Sequence, residues 1–97
     1  MCIRDRATSW TLREQVRFSA GGVESADWTA YPILGFSDAP EIDVDLVERS
    51  DEPSVGVGEA AQGPTSAAIA NAVADAVGVR LRHLPLTAAR VSAAQGA

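Results

Sequence analysis

Apolar and polar positions interleave from Thr11 to Ser19, where Leu12, Val16 and Phe18 fall among Arg13, Glu14, Arg17 and Ser19, and Ala20-Gly21-Gly22 follows as a turn. This pattern predicts a hairpin whose return limb is Val23 to Trp28. Ala30 to Phe36 is an apolar stretch containing Pro32. Proline lacks the amide proton that a central ladder strand needs, so this stretch is expected at a sheet edge or against a neighbouring surface. Glu41 to Glu48 alternates most regularly, with Ile42, Val44 and Leu46 on one face and Asp43, Asp45 and Val47 on the other. It predicts a half-buried strand.

A polar turn, Arg49 to Ser54, leads to a glycine-rich loop, Val55 to Pro64. The helix expected next has Pro64 at its start, Thr65 or Ser66 as cap, Ala67 through Val77 as its body and Gly78 as its left-handed stop. Ile69, Val73 and Val77 recur at four-residue spacing and form a buried stripe, beside a face of small side chains at Ala68, Ala72 and Ala76. Val79 to Leu86 alternates briefly, as a short strand or extended tail, and Thr87 to Val91 forms a last helical turn. At the ends, Met1 to Arg6 has no periodicity. Residues 1–10 are expected to be a disordered or non-native leader and residues 92–97 a frayed tail. Strands, a loop, one main helix and a terminal extended piece make an α+β unit.

Composition adds a constraint. In 97 residues, 46% are hydrophobic, so a core is intended, yet only 5% are aromatic and many of the apolar side chains are alanine. Each alanine buries little area, and a chain this short leaves much of its surface exposed. Its hydrophobic faces outnumber its own layers, which predicts that they pack against residues outside this chain. Trp10, Trp28, Tyr31 and Phe36 are read as core.

A net charge of -5 with no lysine excludes nucleic acid as a partner, because that affinity rests on clustered cations displacing counterions. Arg80, Arg82 and His83 come nearest to a cluster and read as a solvated strand face. One cysteine, Cys2, permits neither an internal disulfide nor a cysteine-built metal site. No run approaches the roughly 18 apolar residues of a membrane span, and the opening lacks the apolar stretch of a signal peptide.

Few residues carry candidate chemistry. Asp43 and Asp45 share a strand face about 7 Å apart, which invites an acid/base or calcium reading, but the alternation favours the solvated face of an antiparallel strand. His83 is the single histidine and has no nucleophile near it in sequence, which points to a surface or half-buried role. Gly56-Val57-Gly58-Glu59, with Gly63-Pro64 opening the helix, is the stronger constellation. Alternating glycines let the main chain approach a ligand closely, and Glu59 would project from that loop.

Tyr31-Pro32-Ile33-Leu34, Ser37-Asp38-Ala39-Pro40-Glu41-Ile42, Asp51-Glu52-Pro53, Gly56-Val57-Gly58-Glu59 and Ala68-Ile69-Ala70-Asn71-Ala72-Val73 together resemble, in order and spacing, the C-terminal region of the xanthine dehydrogenase and aldehyde oxidase family. The nearest type is the isoquinoline 1-oxidoreductase beta subunit. The resemblance runs from about Thr11 to Val91, and residues 11–91 are expected to be the C-terminal part of a molybdopterin-binding domain. It implies Glu59 as the catalytic general base and Gly56, Val57 and Gly58 as backbone contacts to the cofactor, with no protein ligand to a metal in this chain. Ala60 stands where the family usually has proline after the glutamate, and Ser54 replaces another common proline.

The activity so implied is hydroxylation of an electron-poor carbon, in an aromatic N-heterocycle or an aldehyde, with water as the oxygen source. The implied cofactor is molybdenum-molybdopterin in its cytosine dinucleotide form, carried by the full-length protein and absent from the isolated fragment, which is expected to be inactive. The implied partners are the missing N-terminal part of the same subunit and a small subunit carrying 2Fe-2S clusters. A soluble bacterial protein is expected, with cytoplasm and periplasm both open. The alternative reading is a small non-catalytic α+β interaction module that retains the family's packing motifs.

Overall fold

The computed structural model describes residues 3–96; Met1, Cys2 and Ala97, on which parts of the leader and tail readings fall, lie outside the described residues. In chain order it contains helix α1 (Ile3–Leu12), strands β1 (Phe18–Ser19) and β2 (Gly22–Val23), a 3-10 turn at Phe36–Asp38, helix α2 (Gln62–Val77) and helix α3 (Ala88–Gln95). The class is α+β, as the sequence predicts, with helix carrying most of the order.

The start of the chain is the largest departure. Residues 3–12 form α1, where a disordered or non-native leader is expected over residues 1–10, and the helix bears on the disorder alone. Thr8 and Thr11 donate their hydroxyls to the carbonyls of Arg4 and Ala7, each at 2.7 Å, so side chains of weak helix propensity are held within the helix. Packing supplies the rest: Ala7 and Thr11 are fully buried, and the Thr11 hydroxyl also lies 2.7 Å from that of Ser66 on α2. Tertiary contact outweighs the absence of an apolar stripe in this helix.

The predicted hairpin forms but is shorter. Antiparallel pairing joins Phe18 to Val23 and Ser19 to Gly22 across Ala20-Gly21, and Glu24 N–H to Arg17 carbonyl (2.9 Å) extends the ladder by one bond. Gly22 has φ 121, a conformation that L side chains rarely adopt. Residues 11 and 12, assigned to the first limb by alternation, belong to α1.

Glu41 to Glu48 is not a strand here. The chain is irregular and mostly exposed, with Leu46 92% accessible, because no described segment lies beside it to complete a ladder. Val79 to Leu86 likewise pairs with no strand. Its end is nonetheless anchored, since Pro85 and Leu86 are buried and Leu86 N–H donates to the Thr11 carbonyl at 2.6 Å.

Helix α2 closely follows expectation. Gly78 ends it at φ 74, with its N–H on the Ala74 carbonyl. It starts at Gln62, earlier than predicted, with Ala61 at the cap position and no side-chain cap; the Thr65 hydroxyl donates to the Ala61 carbonyl at 2.6 Å from within the first turn. Pro64 is tolerated there because amides of the first turn have no intrahelical acceptor. Ile69, Val73 and Val77 are half-buried rather than buried, and Ala68, Ala72 and Ala76 are exposed. The expected frayed tail is helical to Gln95, because α3 is capped by the Thr87 hydroxyl, which accepts from Arg90 N–H.

The fold is open. A radius of gyration of 16.7 Å exceeds the ~13 Å of a compact domain of this size. The accessible surface of 7369 Å² similarly exceeds the ~5300 Å² that a globule of 10.1 kDa would show. The aromatics read as core explain part of the excess: Trp28 is 76% exposed and Phe36 wholly so. Trp10 and Tyr31 are half-buried, Trp10 beneath Arg6 and Tyr31 bonded to Glu14, whereas Trp28 and Phe36 are left largely uncovered by the described residues.

Candidate functional site

The loop from Pro53 to Val57 has no regular structure and leads into a turn immediately before α2. Ala60 N–H donates to the Val57 carbonyl at 3.1 Å, and Gln62 N–H donates to the Glu59 carbonyl at 3.0 Å. The first of these bonds requires an amide proton, so proline at position 60 could not make it. Gly58 and Glu59 thus occupy the centre of a hydrogen-bonded turn whose exit feeds the helix.

Gly56, Val57, Gly58 and Glu59 are all exposed. Neither Gly56 nor Gly58 has a positive φ, and a Cβ built on either would meet nothing within 4 Å. Glycine is therefore not demanded by this chain's own conformation or packing. What it provides is bare main chain facing outward. The Glu59 carboxylate makes no hydrogen bond or ion pair among the described residues. An acid/base group held by backbone on both sides and unpaired among the described residues is available to a substrate or cofactor arriving from outside.

Nearby, α1, the start of α2 and Pro40 to Asp43 enclose an open groove of about 680 Å³. Ala61 and Pro64 line it, whereas Glu59 does not. The groove is thus adjacent to the loop without being its site. Asp43 and Asp45 are both exposed; the Asp43 carboxylate accepts from Val44 N–H at 3.0 Å and its carbonyl accepts from Arg4. Among the described residues no three His, Cys, Asp or Glu side chains stand together as a metal site. No helix there is long and apolar enough to cross a membrane.

One buried ionisable constellation has no counterpart in the sequence pattern. Glu14, just past α1, has a side chain only 2% exposed; it pairs with Arg6 at 3.1 Å and accepts the Tyr31 hydroxyl at 2.7 Å. Arg6 in turn lies over the Trp10 ring, 5.1 Å from its centroid. The hydrogen bond to Glu14 raises the Tyr31 pKa above its ordinary 10.0, with burial and the Glu14 charge adding to the effect and Arg6 opposing it. Alternation places Glu14 among solvated positions, and only the fold brings its three partners together.

No protein-family model matches the chain. It is 52% identical over 91 residues to the B subunit of nicotinate dehydrogenase from Pseudomonas putida, a match covering 94% of this chain and 8% of that protein. It is 35% identical over 83 residues to membrane-bound aldehyde dehydrogenase [pyrroloquinoline-quinone] of Gluconacetobacter polyoxogenes, and 37% identical over 78 residues to the beta chain of isoquinoline 1-oxidoreductase from Brevundimonas diminuta. All three are named as oxidoreductases. The chain spans 8 to 11% of the length of these relatives and is similar to a segment of each. Two of the names are those of subunits, and the substrates in the names are aromatic N-heterocycles and an aldehyde.

Proposed function

We propose that this chain is the C-terminal part of the molybdopterin-binding subunit of a molybdenum hydroxylase, with Glu59 as the general base. The observation that carries the reading is the unpaired Glu59 carboxylate on a turn flanked by bare glycine backbone, in a chain whose relatives are oxidoreductases of heterocycles and aldehydes. Bound molybdenum-molybdopterin, in its cytosine dinucleotide form, would supply the electron sink and the activated oxygen. Glu59 would take up the proton released as a water-derived oxygen adds to the electron-poor carbon.

Gly56, Val57 and Gly58 would lie against the cofactor through main-chain groups. The outward-facing backbone fits this role, because no described residue apart from the chain neighbours comes within 4 Å of a Cβ built on Gly56 or Gly58. The rest of the site would come from the N-terminal part of the same subunit, and a 2Fe-2S subunit would carry the electrons away. The excess surface and bare aromatics support this larger setting over a self-contained interaction module. By this reading the isolated chain is inactive.

Heavy-oxygen-labelled water tests the reaction class. The full-length protein with its partner subunit, given nicotinate or isoquinoline, is expected to place the label on the product carbon when the electron acceptor is reduced. Product oxygen drawn from molecular oxygen instead would remove the proposal.

A further inference from the structure

All thirteen Asp and Glu residues precede Ala76, whereas three of the eight arginines and the single histidine follow it. The fold gathers these cations. Arg80, Leu81, Arg82, His83 and Leu84 line an open groove of about 600 Å³ together with Arg90 and two alanines of α3. Sequence proximity does not group Arg90 with the others; the bend at Leu84-Pro85 and the helix after it bring it there.

The charges in this groove are oriented but not neutralised. Outside the groove Arg6, Arg13 and Arg49 meet the carboxylates of Glu14, Asp38 and Glu52, whereas Arg4 donates to the Asp43 carbonyl and the Arg17 side chain stands alone among the described residues. Arg80 instead donates to the Asn71 side-chain carbonyl at 2.7 Å, and Arg90 donates to the Pro85 carbonyl at 2.9 Å and to Gln15 Oε1 at 3.2 Å. Arg82 has no hydrogen-bond or ion-pair partner among the described residues. Neutral acceptors fix two of the planar forks while leaving their charge available to a ligand.

Size and charge together define the ligand. A groove of this volume suits a small molecule, and its leucine and alanine lining suits an apolar body. Three guanidiniums match the roughly -1.5 to -2 charge of a phosphate monoester better than the single charge of a carboxylate. The sixteen residues of α2 span about 24 Å and separate this groove from the Glu59 turn. We propose that the groove between Arg80–Leu84 and α3 binds a phosphate monoester of a small aromatic or aliphatic alcohol, apart from the Glu59 turn.

Calorimetric titration of the full-length protein with phenyl phosphate, inorganic phosphate, benzoate and a polyglutamate peptide, at matched ionic strength, tests this. Phenyl phosphate is expected to bind saturably and most tightly, inorganic phosphate less so and benzoate least. Arg82→Gln, an exposed change that breaks no internal bond, is expected to weaken phenyl phosphate about tenfold. Arg49→Gln, distant in sequence and already paired with acids, serves as the unaffected control. Absence of saturable binding, an undiminished response in Arg82→Gln, or benzoate binding as tightly as phenyl phosphate would each overturn the proposal. Preference for a polyglutamate peptide over phenyl phosphate would overturn it in favour of a protein partner.

Discussion

Glu59→Gln in the full-length, cofactor-replete protein is expected to lower the rate of substrate hydroxylation by about a hundredfold to ten-thousandfold, the usual cost of losing a positioned general base. The amide keeps the size of the side chain and removes its ability to take a proton. Because the Glu59 carboxylate has no partner among the described residues, the change is expected to leave local folding undisturbed. Cofactor content and substrate affinity should therefore remain close to wild type while turnover falls. Steady-state kinetics together with cofactor quantification on the same preparation separate these quantities. A variant that turns over at the wild-type rate with full cofactor would place the base on another residue.

Glu14→Ala is expected to produce the largest loss of stability. Its carboxylate is almost fully buried and joins Arg6 and the Tyr31 hydroxyl, so truncation removes an ion pair and leaves a partly buried hydroxyl without its acceptor. Charge-assisted bonds of this kind contribute about 1.5–3 kcal/mol. Arg6 is 38% exposed in its side chain and regains water, which holds the expected cost to about 2 kcal/mol. That is a large share of the stability of a small domain. Urea unfolding followed by tryptophan fluorescence measures it.

The same variant has a spectroscopic signature. Tyr31 is the single tyrosine, so phenolate absorbance reports it without overlap. Its folded pKa is raised above the unfolded value of 10.0, so the proton is held more tightly in the folded state. The resulting stability is present in full below pH 10 and is lost as pH rises through the raised value. In Glu14→Ala the titration is expected to fall back toward 10.0, and this alkaline loss of stability should disappear.

The parts of this fold that are legible from sequence are those governed by local rules. Helix α2 follows from a run of alanines and a glycine stop, and the hairpin follows from Ala20-Gly21-Gly22 between polar and apolar alternation. Helix α1 is illegible because its face is made of Ala7, Thr8, Ser9 and Thr11, small side chains buried through long-range contacts such as Thr11 with Ser66 on α2 and Ser9 with the Leu34 amide. For Glu41 to Glu48 the reverse holds. Its alternation is clear, yet a strand needs a neighbour, and the described residues provide none.

The candidate site divides similarly. The Gly56 to Glu59 loop is visible as a motif, and its geometry adds the turn closed by Ala60 N–H. The Glu14 cluster and the groove that gains Arg90 join residues distant in sequence, and no local pattern marks them.

The metal and cofactor content of the full-length protein tests the central claim most directly. Elemental analysis and cofactor extraction of protein purified from its natural host are predicted to yield molybdenum and a pterin in comparable amounts. Pyrroloquinoline quinone without molybdenum, the cofactor in the name of one relative, would contradict the account.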